Sequence, residues 1–406
     1  MNNMKFGLIG ASIRGLWLIK LATEASGGRL VAVTDPSEQA HANARHAFGD
    51  ELASYKTVRS MLDAHHDLSA IFIASPDMAH YENVMDALTA KVPIYVEKPL
   101  AQHVEHCDAI LTAWQKSPVV FCGGLELRHA TLAETMHELI DSEIIGEPAY
   151  ITCTEYVPSL GMHVHPLYRK KSTGRSLLLQ KGVHDLDLMN GFAGGSPVWT
   201  SAVAGQSFTG GDRPSGSLVQ DCPDCQALGL RPRTAGVFRE LNNLPIPATP
   251  QYCVHGKDVD MEDNYQMLVR YDNGVRGVFT LCYNAPEYSH EFAVVGIKGN
   301  IRAFYDHKQS TFRFHVRENR TPDRETVIQP PFRPGSHGGG DPRIIDHFLA
   351  CVREGRQPLA DIQAARNSAA LAAAAQDSIE CGAPVEIPIA DTNGCDLSIE
   401  KQNTAL

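Results

Sequence analysis

The sequence has no apolar run approaching the ~18–20 residues that a membrane span requires. It has no excess of basic charge either. Lys and Arg number 36 against 47 Asp and Glu, a formal net charge of −11, which argues against a nucleic-acid binder. Charged residues make up 20% and hydrophobic residues 43%, so the composition of a disordered chain is missing. The ten cysteines do not follow the spacing of a secreted disulfide framework. Met1 to Lys5 lacks the basic start and apolar core of a secretion signal and runs directly into a strand. These absences leave a soluble, cytoplasmic protein. At roughly 100–200 residues per domain, its 406 residues predict two domains or three.

What is present is alternation. Phe6–Ile9, Leu30–Thr34, Ala70–Ala74, Ile94–Val96 and Val119–Cys122 read as short buried strands. Leu16–Thr23, Glu38–Phe48 and His80–Lys91 read as helices between them. Strands alternating with helices predict right-handed crossovers and a parallel sheet. The first strand ends in Gly10-Ala11-Ser12-Ile13-Arg14-Gly15, a dinucleotide fingerprint with Ser12 in place of the second glycine. Gly10 permits the tight turn, and the amides opening the next helix, around Ile13 and Arg14, suit a pyrophosphate. The small side chain of Ser12 keeps the backbone approachable. Asp35 lies 25 residues after Gly10, where an acidic residue accepts from both ribose hydroxyls and repels a 2′-phosphate. This favours NAD over NADP. The alternative for Asp35 is a cap on the helix that starts at Glu38.

From about Tyr150 the pattern becomes antiparallel. Tyr265–Tyr271 and Val275–Tyr283 flank Asp272-Asn273-Gly274, and Asn-Gly between strands predicts a hairpin with both central residues at positive φ. Glu291–Val295, Ile301–Tyr305 and Thr311–Val316 are further strands, with Lys298-Gly299 in the turn between the first two. Residues 205–264 carry Pro214, Pro223, Pro232, Pro245, Pro247 and Pro250 and read as a long surface excursion, either a lid or a disordered insertion. Within it, Cys222-Pro223-Asp224-Cys225 has the spacing of half a zinc site, with Cys253 and His255 as candidates for the rest. Structural zinc needs four closed ligands, and the preferred reading is free cysteines with no metal. Residues 330–341 read as a linker. Pro342–Glu354 and Ile362–Glu380 read as helices, the second stopped by Gly382.

Glu97-Lys98-Pro99 at a strand end, after Ser75-Pro76-Asp77 and His80, resembles the Gfo/Idh/MocA oxidoreductase family, which includes glucose–fructose oxidoreductase and inositol dehydrogenase. Gly123-Gly124-Leu125-Glu126-Leu127-Arg128, Gly146-Glu147-Pro148, Gly182-Val183-His184-Asp185-Leu186-Asp187 and His337-Gly338-Gly339-Gly340-Asp341 follow in the family's order. The resemblance implies an α/β fold: an N-terminal Rossmann domain over residues 1–125, then an α/β domain over 126–340 with a large, mostly antiparallel open sheet. C-terminal helices and a tail, 341–406, would pack back on both. It also implies a homodimer or homotetramer through the open sheet face.

The same resemblance implies NAD held by Gly10, Ser12, Ile13, Arg14, Gly15, Asp35, Ser75, Pro76, His80, Glu97 and Lys98. It makes Lys98 and His184 the catalytic pair. A histidine suits proton transfer because its ordinary pKa is near neutrality, and a lysine beside the reacting oxygen stabilises alkoxide character. Many family members carry Asp four residues before the histidine. Here that residue is Gln180, an amide that cannot take a proton at neutral pH. Asp187 reads equally as a relay member or a buried packing group. Arg128, His163, Tyr168, Arg169 and Gln180, with Lys98 and His184, are the candidate contacts to a small carbohydrate.

The expected reaction moves a hydride between NAD and a secondary hydroxyl or ketone of a sugar, sugar acid or cyclitol. The alternative is an NAD-dependent glycoside hydrolase or eliminase that oxidises a ring hydroxyl transiently. A non-catalytic cofactor-binding protein is the third reading, and Lys98 with His184 argues against it.

Overall fold

Every residue of Ala70–Ile73 and Ile94–Val96 is buried, as strands covered on both faces must be. They lie at the centre of a parallel sheet in the computed structural model, which describes residues 4–230, 250–306, 311–331, 333 and 335–390. Pro232, Pro245, Pro247 and the tail beyond residue 390 lie outside the described residues. The first part runs β1 (Lys5–Ile9), α1 (Ile13–Ser26), β2 (Arg29–Thr34), α2 (Glu38–Phe48), β3 (Ala53–Tyr55), α3 (Val58–Ala64), β4 (Ala70–Ile73), α4 (His80–Leu88), β5 (Ile94–Val96), α5 (Val104–Lys116) and β6 (Phe121–Gly123). The strands are all parallel, in the order β3-β2-β1-β4-β5-β6. This is a Rossmann sheet. The sequence reading missed β3, α3 and α5; the three residues of β3 are too few to give a periodic signal.

The second part runs α6 (Thr131–Asp141), β7 (Pro148–Val157), α7 (Lys171–Gly174), α8 (Val183–Ala193), β8 (Pro197–Gly205), α9 (Pro223–Ala227), β9 (Asn264–Tyr271), β10 (Arg276–Tyr283), β11 (Ser289–Gly296), β12 (Gly299–Asp306), β13 (Thr311–Glu318), β14 (Thr326–Ile328), α10 (Gly340–Glu354), α11 (Ile362–Cys381) and β15 (Val385–Glu386). The nine strands form one sheet, β14-β13-β12-β11-β7-β10-β9-β8-β15. Every pair is antiparallel except β7 with β10.

Two local expectations are corrected. In the Asp272-Asn273-Gly274 turn, Gly274 has φ 88° while Asn273 is not at positive φ. Tyr271 N–H bonds to Val275 C=O and Gly274 N–H to Tyr271 C=O, so this is a three-residue loop closed by a left-handed glycine. In the segment read as a linker, residues 335–341 are not passive either. His337 and Asp341 turn inward to Glu126 and Arg14, and α10 already begins at Gly340.

The two parts are fastened by the last helices. Ile344, Ile345, Phe348 and Leu349 of α10 belong to the core of the parallel sheet. The helix α11 spans both cores, giving Ile362, Ala365 and Ala369 to the first and Ala370 to Ala375 to the second. Its alanines permit the close crossing: a Cβ at Gly123 would lie 2.7 Å from Ala365 Cβ.

Candidate active site

The strands β1 and β4 are neighbours whose chains continue to opposite sides of the sheet, the switch point where open α/β sheets bind ligands. Gly10 ends β1 at φ 86°, and a Cβ there would lie 2.4 Å from the Ser75 amide nitrogen. A Cβ on Gly15 would lie in the usual place of no residue but glycine, 2.5 Å from Gly10 O. Ser12 caps α1, accepting from Gly15 N–H at 3.1 Å and donating to Ala74 O at 3.0 Å. The first-turn amides of Ile13 and Arg14 are left to face an anion. Asp35 ends β2; its carboxylate accepts from Ala11 N–H at 2.9 Å and Ser37 N–H at 2.8 Å. The cap on α2 is Ser37, not Asp35. A capped helix start, two obligatory glycines and an acid on the next strand end fit a dinucleotide, with the carboxylate on the ribose side.

Lys98 follows β5. Its ammonium reaches across to the second part of the chain and donates to the Gln180 carbonyl. That carbonyl lies in a π turn, Leu178–Gly182, which runs into α8; such turns recur at functional sites. Four residues on, His184 is 3% exposed. Burial lowers the Lys98 pKa, while Glu97 and Glu126 oppose the shift. Burial, and then the charges of Lys98, His337, Lys181 and Arg14, hold His184 well below its ordinary value. It is therefore a neutral imidazole within the field of the Lys98 ammonium, and its Nδ1 has no hydrogen-bond partner.

Position 180 is an amide, but another carboxylate lies beside His184. Glu126 is buried with Oε1 at 3.8 Å from His184 Nε2 and 3.1 Å from His337 Nδ1. Burial raises its pKa, against the lowering by His337 and Arg14. Arg14 binds Glu97 at 2.8 Å and Asp341 at 2.9 Å. Thus Glu97 and the Arg14 side chain hold each other. The sequence signal for Glu126 was its place in the Gly123–Arg128 motif, with nothing to show what it touches.

His337 also lines a cavity of about 300 Å³ whose other polar walls include Lys181, Asp185, Tyr288 and His290. Lys181 Nζ is 2.8 Å from Glu155 Oε1 and donates to Tyr288 OH at 2.9 Å; His290 Nδ1 is 2.9 Å from Asp185 Oδ1. Desolvation, only partly offset by Lys181, pushes Glu155 up to about 7. Phe292, Tyr305 and Phe312 form apolar walls. A polar end facing aromatic walls suits a hydroxylated ring. Sequence reasoning assigned none of these residues to the site: Asp185 was seen only within a motif, and Glu155 and His290 meet through the pairing of β7 with β11.

Several sequence candidates have side chains engaged by other groups of the protein. Arg128 grips Asp187 with two bonds, 2.7 and 2.8 Å, and donates to Leu359 O at 2.8 Å; both residues are packing groups. Arg169 is buried and donates to Cys253 O and Asp258, anchoring the excursion. His163 is fully buried, with Nε2 against Glu262 O at 3.0 Å. His80 is buried with its ring nitrogens 2.6 Å from Pro99 O and 2.9 Å from Ser75 O, so it ties two loops together. Ser75 Oγ accepts from Asn83 at 2.8 Å, and Pro76 is exposed beside it. The Gln180 side-chain amide donates to Asp77. Tyr168 stays half-buried; its pKa is raised to about 12, first by burial and then by Asp77 and Glu97.

Residues 4–124 match an oxidoreductase family's NAD-binding Rossmann fold, and residues 137–387 match its C-terminal α/β domain. A 2,7-anhydro-N-acetylneuraminate hydratase of Mediterraneibacter gnavus is 26% identical over 211 residues, 50% of this chain and 53% of the relative. An inositol 2-dehydrogenase/D-chiro-inositol 3-dehydrogenase of Halalkalibacterium halodurans is 31% identical over 160 residues, 39% of this chain and 46% of the relative. The chain thus matches about half the length of these two relatives. The structure of levoglucosan dehydrogenase with NADH and levoglucosan shares the fold, with TM-score 0.71 and 19% identity over 96% of this chain and all of that one. Among the described residues, no helix is long and apolar enough to cross a membrane.

Proposed function

The chain belongs to the Gfo/Idh/MocA family of NAD-binding oxidoreductases, and from that premise we propose that it moves a hydride between NAD and a secondary hydroxyl or ketone of a sugar, sugar acid or cyclitol. This reading is supported by one arrangement: Lys98, which follows β5, bonds to the carbonyl of Gln180, four residues before the buried His184, and its charge acts on that imidazole. A bound nicotinamide supplies or accepts the hydride.

The chain's own residues handle the oxygen and the proton. Lys98 holds the reacting oxygen and stabilises its alkoxide character. His184, kept neutral by burial and by Lys98, takes the hydroxyl proton. Glu126 stands between His184 and His337, so the proton passes by its carboxylate to an imidazole at the cavity wall. Lys181, Tyr288 and His290 orient the remaining hydroxyls. Asp35 selects NAD over NADP by charge.

A second reading has its own support. The hydratase relative acts on an anhydro sugar, and a base beside a transiently oxidised ring carbon also serves elimination. Incubation of the enzyme and NAD with a panel of cyclitols, sugars and sugar acids separates the two. Net accumulation of reduced nicotinamide supports dehydrogenation; bond cleavage or water addition without it supports the second reading.

A second copy of the chain is proposed to cover the open sheet face. Tyr150, Val203, Leu268 and Val295 lie on that face and are 40–64% exposed, an apolar surface of the kind that marks an interface. Sedimentation of the purified protein tests for the dimer or tetramer.

A further inference from the structure

The excursion between β8 and β9 brings three cysteines together. Cys222, Cys225 and Cys253 are buried, with sulfurs within 4.8 Å of one another. Cys225 Sγ and Cys253 Sγ are 3.4 Å apart. Backbone amides point at two of the sulfurs: Cys225 N–H at Cys222 and His255 N–H at Cys253, each at 3.4 Å. Such donors stabilise thiolates. Cys222 opens the short helix α9, whose single turn sets Cys225 on the same side. Arg213, paired with Asp224, lies within the field of Cys222 and Cys253. A disulfide would leave one of the three sulfurs over. Among the described residues no other thiols gather in a group of three.

His255 follows Cys253 by two residues. Its Nε2 is buried without a hydrogen-bond partner, and its backbone is already anchored on Cys253 Sγ. We propose that Cys222, Cys225 and Cys253 ligate a Zn²⁺ ion as thiolates, with His255 turning its ring to complete a tetrahedral set. Three S–H protons leave to solvent, the incoming ion sheds its waters, three S–Zn bonds and one N–Zn bond form, and no electron is transferred. The set of three sulfurs and one imidazole is closed, which makes the ion structural rather than catalytic.

The ion has a defined task. Arg169 donates to Cys253 O at 2.9 Å, and Tyr252 N–H bonds to Val164 O at 2.9 Å. The metal knot therefore holds the base of the excursion against the segment that carries Tyr168. The metal site stands independently of the proposed reaction; only its consequence for a substrate rests on that reading.

The test is the zinc content of the full-length protein, purified without chelator from zinc-supplemented culture. One zinc per chain is expected, together with its loss in Cys225→Ser and in Cys222→Ser. Cobalt substitution is expected to give thiolate charge-transfer bands and tetrahedral visible bands in the wild type. His255→Ala should keep the charge-transfer bands and alter the visible ones. Retained NAD binding by calorimetry shows that each variant is folded and separates failure at the knot from failure of the oxidoreductase reading. Wild-type protein without stoichiometric zinc, or a titration of the denatured, unreduced protein showing Cys225 and Cys253 joined as a disulfide, would overturn the proposal.

Discussion

Glu126 Oε1 lies 3.8 Å from His184 Nε2, and this contact puts a carboxylate beside the imidazole although the position four residues before it is an amide. Its other neighbour, His337, leads to the cavity wall. Glu126→Gln keeps the shape and removes the proton acceptor. We expect kcat to fall by about 10²-fold, within the usual range for a lost proton-transfer group, with KM little changed. Glu126 raises the pKa of His337, so the substitution should also move the rising limb of the kcat–pH profile to lower pH. An unchanged profile counts against the relay.

Gln180 and Asp77 form a donor–acceptor pair across the seam between the two parts of the chain. Gln180→Asp sets a second carboxylate against Asp77, and we expect a lower melting temperature and a lower kcat/KM. Adding Asp77→Asn should restore much of both, because contacting pairs couple by about 0.5–3 kcal/mol. Additive losses in the double-mutant cycle would show that the contact is idle.

Arg128 and Asp187 form a buried two-pronged ion pair. Asp187→Asn leaves the guanidinium without its charge partner and should destabilise the fold by about 3–5 kcal/mol, measured by urea unfolding. KM of the folded enzyme should not change; a selective rise in KM would return Arg128 to the substrate site.

Acid should destabilise the protein through its buried, uncharged histidines. His129 is buried, and desolvation lowers its pKa to about 3 from 6.5. The unfolded chain takes up a proton below pH ~6.5 that the folded chain refuses, so stability is full above that value and falls as pH drops toward 3. Each such histidine contributes a slope of about 1.4 kcal/mol per pH unit. His129→Phe should flatten the slope of stability between pH 6 and pH 4, read from unfolding midpoints.

The parts of this account legible in sequence are those in which function constrains neighbours along the chain. The Gly10 turn, Asp35 and Lys98 each sit at the end of an apolar run, where a parallel sheet places its ligands, so local pattern exposed them. Arg128, His163 and Arg169 misled because a charged or polar residue near a motif is equally suited to closing a buried pair, and burial is invisible in one dimension. Glu126, Lys181, Tyr288 and His290 escaped for the opposite reason: only the pairing of β7 with β11 and the fold of residues 336–341 bring them together. The three thiols were legible as a spacing but not as a cluster.

The most direct test of the central claim is single-turnover reduction of NAD on mixing the enzyme with the polyol panel, for wild type, Lys98→Met and His184→Asn. The account predicts that at least one cyclitol, sugar or sugar acid reduces the cofactor in the wild type. Each substitution should slow that step by about 10²–10⁴-fold with little change in NAD affinity by calorimetry. Hydride transfer at wild-type speed in both variants would contradict it.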